Sequence, residues 1–165
     1  MNQGRIIVIT GAPGTGKTTT ASAVAKESDL EKSVHMHTDD FYHYLSKGAI
    51  PPHLPESDSQ NLVVIEAFLA AAKRYAQDGY DVIVDGIIGP WFLEPWLNVV
   101  QEHYEVHYII LRANKKETMK RAKRALGGSR RLGMESTRPR VVWNCDAVAH
   151  GIARSAYIIK LLRLG

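Results

Sequence analysis

Only one cysteine, Cys145, occurs among the 165 residues, so no disulfide can form within the chain, and a reducing compartment suits it. Aromatic residues make up just 8%. No apolar run approaches the ~20 residues needed to cross a bilayer, so no membrane partner is expected. Internal repeats, low-complexity tracts and linker-like stretches are missing too, which points to one domain over 1–165. Neither sign of charge dominates. Lys and Arg total 21 against 17 Asp and Glu, a net +4 that phosphorylated ligands are enough to explain, and no nucleic-acid partner is expected. The opening Met1-Asn2-Gln3-Gly4 leads straight into an apolar stretch, so no signal peptide is expected. The expectation is a soluble, cytoplasmic protein, a monomer or weak dimer.

What is present begins at Ile6–Thr18, I-I-V-I-T-G-A-P-G-T-G-K-T. A β-branched run enters a loop with Gly11, Gly14 and Gly16, followed by Lys17 and Thr18, and this is the P-loop pattern G-x-x-x-x-G-K-[ST]. Average residue usage puts a chance match at about one chain in two hundred of this length. The surrounding strand and helix lower that further, so we read nucleoside triphosphate binding here. Glycines let backbone N–H groups approach phosphate oxygens, and the helix start aims its dipole at the same anion. Gly11, Ala12, Pro13, Gly14, Thr15, Gly16, Lys17, Thr18 and Thr19 are the expected nucleotide contacts. Lys17 is expected to reach the β- and γ-phosphates, and the Thr18 hydroxyl to ligate Mg²⁺.

The pattern then alternates. Strands are expected at Arg5–Thr10, Ser33–Thr38, Tyr80–Asp85, Glu105–Arg112 and Ser155–Leu162. Helices are expected at Lys17–Glu27, Phe41–Leu45, Leu62–Asp78, Trp91–His103, Lys115–Leu126 and Pro139–His150. Such alternation argues for an α/β fold with a doubly wound parallel sheet. In the long helix, Val64, Phe68 and Ala71, with Ile65, Leu69, Ala72 and Ala76, form a core-facing stripe. Lys47–Asn61, with Pro51, Pro52 and Pro55, is a loop long enough to serve as a cap over an acceptor, about 43–61.

Three further features carry chemistry. Asp39 and Asp40 follow a strand end, where open α/β sheets place ligands, so one of them can orient or deprotonate an attacking hydroxyl. The bland alternative is that an Asp caps the next helix. His35, His37 and Asp39 alternate as a conceivable metal face, although no fourth ligand is evident. D-V-I-V-D ending at Asp85 fits a Walker-B carboxylate that holds Mg²⁺ or its waters. Lastly, a basic helix runs into Gly127-Gly128, Arg130 and Arg131, making Arg121, Arg124, Arg130 and Arg131 candidates to close over a transferring phosphoryl group, against the alternatives of a solvated face or a nucleic-acid contact.

With these motifs placed, the chain resembles P-loop small-molecule kinases of the nucleoside monophosphate kinase-like fold. T-D-D-F-Y at Thr38–Tyr42 and V-D-G-I-I-G-P-W at Val84–Trp91 are similar to the chloramphenicol phosphotransferase-like branch, and the likeness covers roughly Ile6–Arg131. The resemblance implies a three-layer α/β/α fold, a five-stranded parallel sheet and a mobile lid about 121–137. It also implies ATP and Mg²⁺ at Gly11–Thr18, Asp39 or Asp40 as base or acceptor anchor, Asp85 near the metal, and Arg121, Arg124 or Arg130 serving the lid. The final G-I-A-R-S-A-Y-I-I-K-L-L-R-L-G departs from that pattern.

The expected reaction is transfer of the γ-phosphate of ATP to a hydroxyl of a small-molecule acceptor, a metabolite or antibiotic. A nucleoside monophosphate kinase would want arginines on the acceptor side, and Leu45–Asn61 offers only Lys47 and His53. A GTP switch is the competing class: Asn114-Lys115-Lys116-Glu117 imitates N-K-x-D, but Glu replaces Asp, and D-x-x-G is missing after Asp85. A nucleic-acid-stimulated ATPase using the basic helix is the fourth reading.

Overall fold

The apolar run at Arg5–Gly11 forms β1, the middle strand of a five-stranded sheet ordered β2-β3-β1-β4-β5. The computed structural model describes residues 3–89, 92–113 and 162–164. Around β1 lie β2 (Ser33–His37), β3 (Asp81–Gly86), β4 (Glu105–Ala113) and β5 (Leu162–Leu164), all parallel. The helices are α1 (Lys17–Lys26), α2 (Thr38–His43), α3 (Asp58–Gln77) and α4 (Glu94–Gln101). The parallel α/β arrangement expected from the alternating pattern is thus observed.

Side-chain alternation along the strands builds two cores. Ile6, Val8, Val82 and Val84 face α3 and α4, packing against Ile65, Phe68, Leu69, Trp96 and Val99. Ile9 and Ile83 face the other way, onto Ala21 with Val24 and Ala25 of α1. Central strands buried on both faces explain why β1 and β3 read as unbroken apolar runs. Phe68, 1% exposed, contributes about 1.5–3 kcal/mol by burial, in line with its place in the expected core stripe.

Element ends differ from expectation in instructive ways. Helix α3 starts at Asp58, four residues before Leu62, because the polar turn Asp58–Asn61 is helical without being amphipathic. Its far end is as read: Gly79 takes φ 82, and the Tyr80 N–H returns to the Tyr75 carbonyl at 3.2 Å. Helix α4 begins at Glu94 and not Trp91, with Pro95 in its first turn, where no N–H is needed. Helix α2 begins directly after β2, at Thr38, earlier than the expected Phe41. The fifth strand is described at Leu162–Leu164, pairing with Leu111–Ala113, and meets the expected Ser155–Leu162 only at Leu162, since residues 155–161 lie outside the described residues. The expected helices at Lys115–Leu126 and Pro139–His150, the lid at 121–137 with Arg121, Arg124, Arg130 and Arg131, and N-K-K-E at 114–117 lie outside the described residues.

Topology decides where a site can form. The chain leaves β1 for β2, two places away, then returns to insert β3 between them, so the carboxyl ends of β1, β3 and β2 lie side by side. In register, Ile9 pairs with Asp85, and Asp85 pairs with His37. The P-loop, the β3 carboxylate and the start of α2 are therefore neighbours at one sheet edge.

Candidate active site

The loop after β1 is shaped by glycine where the backbone demands it. Gly14 and Gly16 take φ of 80 and 89, values that L side chains rarely adopt. A Cβ at Gly16 would meet nothing within 4 Å, so its conformation and not crowding requires glycine, and the loop's inner face stays open. Gly11 is crowded instead, because a Cβ there would overlap the Leu111 carbonyl oxygen of the adjoining strand. Thr15 is buried and ties the loop to itself, donating to the Ala12 carbonyl at 2.8 Å. Pro13 and Thr19 are exposed.

Helix α1 starts behind this loop with Gly16 as its N-cap, no side-chain cap and no acidic residue in its first turn. Uncapped N–H groups with their partial positive charge, in a first turn without an acidic residue of its own, suit an anion. Lys17 adds a full charge and donates to the Ala12 carbonyl at 3.2 Å, lying along the loop. Burial lowers the Lys17 pKa below its ordinary value of 10.5, while Asp85 and Asp39 oppose that shift. The lysine therefore feels the charge of both Asp85 and Asp39.

Asp85 is 0% exposed at the end of β3. The Thr18 hydroxyl donates to Asp85 Oδ2 at 2.6 Å. A hydroxyl and a carboxylate oxygen meeting at a phosphate loop fit a hard cation such as Mg²⁺, which takes few protein oxygens and keeps its waters. The residues expected to hold the metal, Thr18 and Asp85, are thus brought together. The alternative face of His35, His37 and Asp39 does not form: Asp39 lies beyond the strand in α2, and both histidines turn to Asp85. Among the described residues no cluster of three His, Cys, Asp or Glu is arranged for a metal.

The start of α2 corrects the capping expectation. Neither Asp39 nor Asp40 is the N-cap; His37 is, its Nδ1 accepting the Asp39 N–H at 3.3 Å. Both acids occupy the first turn, where they complement the helix dipole. They diverge beyond that, since Asp39 lines a large cavity and Asp40 does not. Tyr42, one turn on, also lines it, and burial together with Asp39 raises its phenol pKa.

That cavity, of about 1160 Å³, lies between α2, the Pro-rich segment before α3, and the loop after β3. Its walls include Asp39, Tyr42, His53, Asp58, Ile65, Ile88 and Phe92. Gln60 on α3 pins the Pro-rich wall by gripping both backbone groups of Ile50, each at 2.8 Å. Asn61 adds a bond to the Pro52 carbonyl at 2.9 Å. On the other side Ile88 is fixed by β1 and β4: its N–H donates to Thr10 Oγ1 at 2.9 Å, and Tyr108 donates to its carbonyl at 2.6 Å. Gln60, Thr10 and Tyr108 gave no motif, and a polar residue inside an apolar run, such as Thr10, was the one available signal.

A phosphate loop, a buried strand-end carboxylate and a cavity on one edge of a parallel sheet define a P-loop α/β protein with a kinase-like fold. The chain belongs to the AAA domain family AAA_18, whose model matches residues 7–137. No curated protein matches it. Among solved structures it is similar to the Mycobacterium tuberculosis APS kinase CysC in complex with AMPPNP and APS, at 18% identity and TM-score 0.59 over 93% of this chain and 98% of that one. It is also similar to a sugar kinase from Janibacter sp., at 19% identity and TM-score 0.56 over 98% and 84%. A third similar structure is a chain of the Pnkp1/Rnl/Hen1 RNA repair complex, at 19% identity and TM-score 0.60 over 81% of this chain. This chain spans 41% of that one. Likeness at these identities shows the fold. No helix among the described residues is long and apolar enough to cross a membrane.

Proposed function

We propose that this protein is an ATP- and Mg²⁺-dependent phosphotransferase that moves the γ-phosphate to a hydroxyl of an unphosphorylated small molecule, as in the chloramphenicol phosphotransferase-like branch. The observation that carries the reading is the position of the Asp39 carboxylate, on the wall of a cavity large enough for a drug-sized acceptor and near Lys17 of the P-loop. An APS kinase of similar fold, solved with AMPPNP and APS, supports the donor-and-acceptor arrangement.

The residues divide the work. Lys17 and the N–H groups of Gly14–Thr18 hold the phosphates, and Asp39 orients the acceptor hydroxyl and takes its proton. Thr18 and Asp85 hold Mg²⁺, whose role is to neutralise charge on the phosphates. Arg121, Arg124 or Arg130 closes over the transferring group from a lid, and the segment about 43–61 caps the acceptor. Positioning and charge neutralisation supply most of the rate. The described cavity residues include two carboxylates, Asp39 and Asp58, and no Lys or Arg, which favours an acceptor without its own phosphate over a nucleoside monophosphate.

The test is transfer of labelled phosphate from ATP and Mg²⁺ to a panel of hydroxylated antibiotics, sugar acids, nucleosides and nucleoside monophosphates, with a no-acceptor control. Labelling of an unphosphorylated alcohol is expected. Labelling confined to monophosphates, or none above the control while ATP binds, overturns the reading.

A further inference from the structure

The buried carboxylate of Asp85 has a second set of partners that no P-loop or strand-end motif accounts for. His35 and His37 stand two residues apart on β2, so both project to the α1 face of the sheet, the face that Asp85 also occupies. His35 Nε2 lies 2.9 Å from Asp85 Oδ1. A carboxylate oxygen only accepts, so the bond requires His35 to carry its proton on Nε2. His37 Nδ1 accepts from Asp39, leaving its Nε2–H aimed at Asp85 Oδ2 from 3.6 Å. The two carboxylate oxygens are thereby divided: among the described residues Oδ1 is bound by the His35 side chain, and Oδ2 faces Thr18 and His37.

A carboxylate free to rotate about its last bond presents either oxygen, or neither, to a cation. One held at Oδ1 presents only Oδ2. We propose that His35 is a positioning residue for the metal site, its Nε2–H fixing Asp85 Oδ1 so that Oδ2 stays turned to the Thr18 hydroxyl. Residues that orient a metal-holding side chain in this way typically carry about tenfold to a hundredfold in metal affinity. This rests on reading Thr18 and Asp85 as the Mg²⁺ site.

The test is titration calorimetry of ADP, with Mg²⁺ and with EDTA, on the wild type, His35→Gln and His35→Met. Both replacements match histidine closely in size and occupy a side chain that is 25% exposed in the native protein, but only glutamine offers an N–H to Asp85. The wild type is expected to bind ADP more tightly with Mg²⁺ than without. His35→Met loses about tenfold or more of that gain, with its affinity in EDTA unchanged. His35→Gln keeps most of it. A His35→Met protein with the full Mg²⁺ gain overturns the assignment, as does an equal loss of affinity in EDTA or a glutamine variant as poor as methionine. A wild type with no Mg²⁺ gain removes the metal-site reading itself, and this assignment with it.

Discussion

Gly86 and Thr38 approach so closely that a Cβ on Gly86 would overlap the Thr38 hydroxyl and lie 3.0 Å from both Thr38 Cβ and Cγ2. This contact joins the end of β3, just past Asp85, to the first residue of α2, just before Asp39. Thr38 is buried and its side chain is short, so it has little room to move aside. Gly86→Ala is expected to destabilise the protein by about 1–3 kcal/mol through overpacking. It is also expected to lower kcat by displacing α2, with ADP affinity nearly unchanged. Thr38→Ala in the same chain removes Oγ1 and Cγ2 and recovers part of the stability. Denaturant unfolding of the wild type and these two variants decides it, and a Gly86→Ala protein as stable as wild type defeats the overpacking account.

Lys17 is held in the phosphate loop against the cost of desolvation. Since burial is the largest influence on its pKa and outweighs Asp85 and Asp39, removing the charge relieves the fold. Lys17→Met is expected to melt at a higher temperature than wild type at neutral pH, while losing phosphate transfer. The sign of the pH effect follows from linkage. Between the lowered folded-state pKa and 10.5, the unfolded chain holds a proton the folded one has lost, so wild-type stability rises with pH. The melting-temperature gap is therefore expected to shrink as pH climbs towards 10.5. A gap that widens contradicts the desolvation account.

These two residues also mark what the sequence made readable. Lys17 lies in a motif whose chemistry depends on local spacing, so its loop, helix and expected ligand could be read from thirteen consecutive letters. Val8, Phe68 and Ala72 follow periods set by one strand or one helix, and the core was legible for the same reason. Gly86 meeting Thr38 depends on which strand lies beside which, and no local period carries that information. His35 illustrates the limit most clearly: its alternation with His37 suggested a metal face, but only the β2–β3 register shows both rings directed at Asp85. Asp39 and Asp40 were inseparable as neighbours in sequence and part only when α2 winds.

Gln60 holds the Pro-rich wall of the cavity by two hydrogen bonds to Ile50 and belongs to neither the phosphate loop nor the Thr18–Asp85 pair. Gln60→Leu keeps the bulk and loses both bonds. Each is worth about 1 kcal/mol net, so the acceptor KM is expected to rise about tenfold to thirtyfold as the wall loosens. The kinetic constants for ATP are expected to change less than twofold, because the effect stays in the acceptor half. Steady-state kinetics with each substrate varied separately checks this. A rise in the ATP KM matching that of the acceptor shows that Gln60 supports the whole edge of the sheet and not one wall.

Asp39 and Asp40 offer the sharpest comparison, because they share a helix turn, a charge and a side-chain length. Only Asp39 lines the cavity, and only Asp39 acts on the charge of Lys17. If a carboxylate there orients the acceptor hydroxyl and takes its proton, Asp39→Asn is expected to lower kcat by about 10²-fold or more, with ATP affinity nearly unchanged. Asp40→Asn keeps its place in the first turn and loses only a favourable contact with the helix dipole, worth less than about 1 kcal/mol of stability. Its kcat is expected to stay within threefold of wild type. A serine-for-aspartate exchange at position 39 separates the two parts of the role, since it can orient an acceptor but accepts no proton at neutral pH. Asp39→Ser is therefore expected to bind acceptor nearly as well as wild type and to turn over as slowly as Asp39→Asn. Equal losses at Asp39 and Asp40 would mean that the charge of the whole helix turn matters and not the position of one carboxylate, and the assignment of Asp39 would fall.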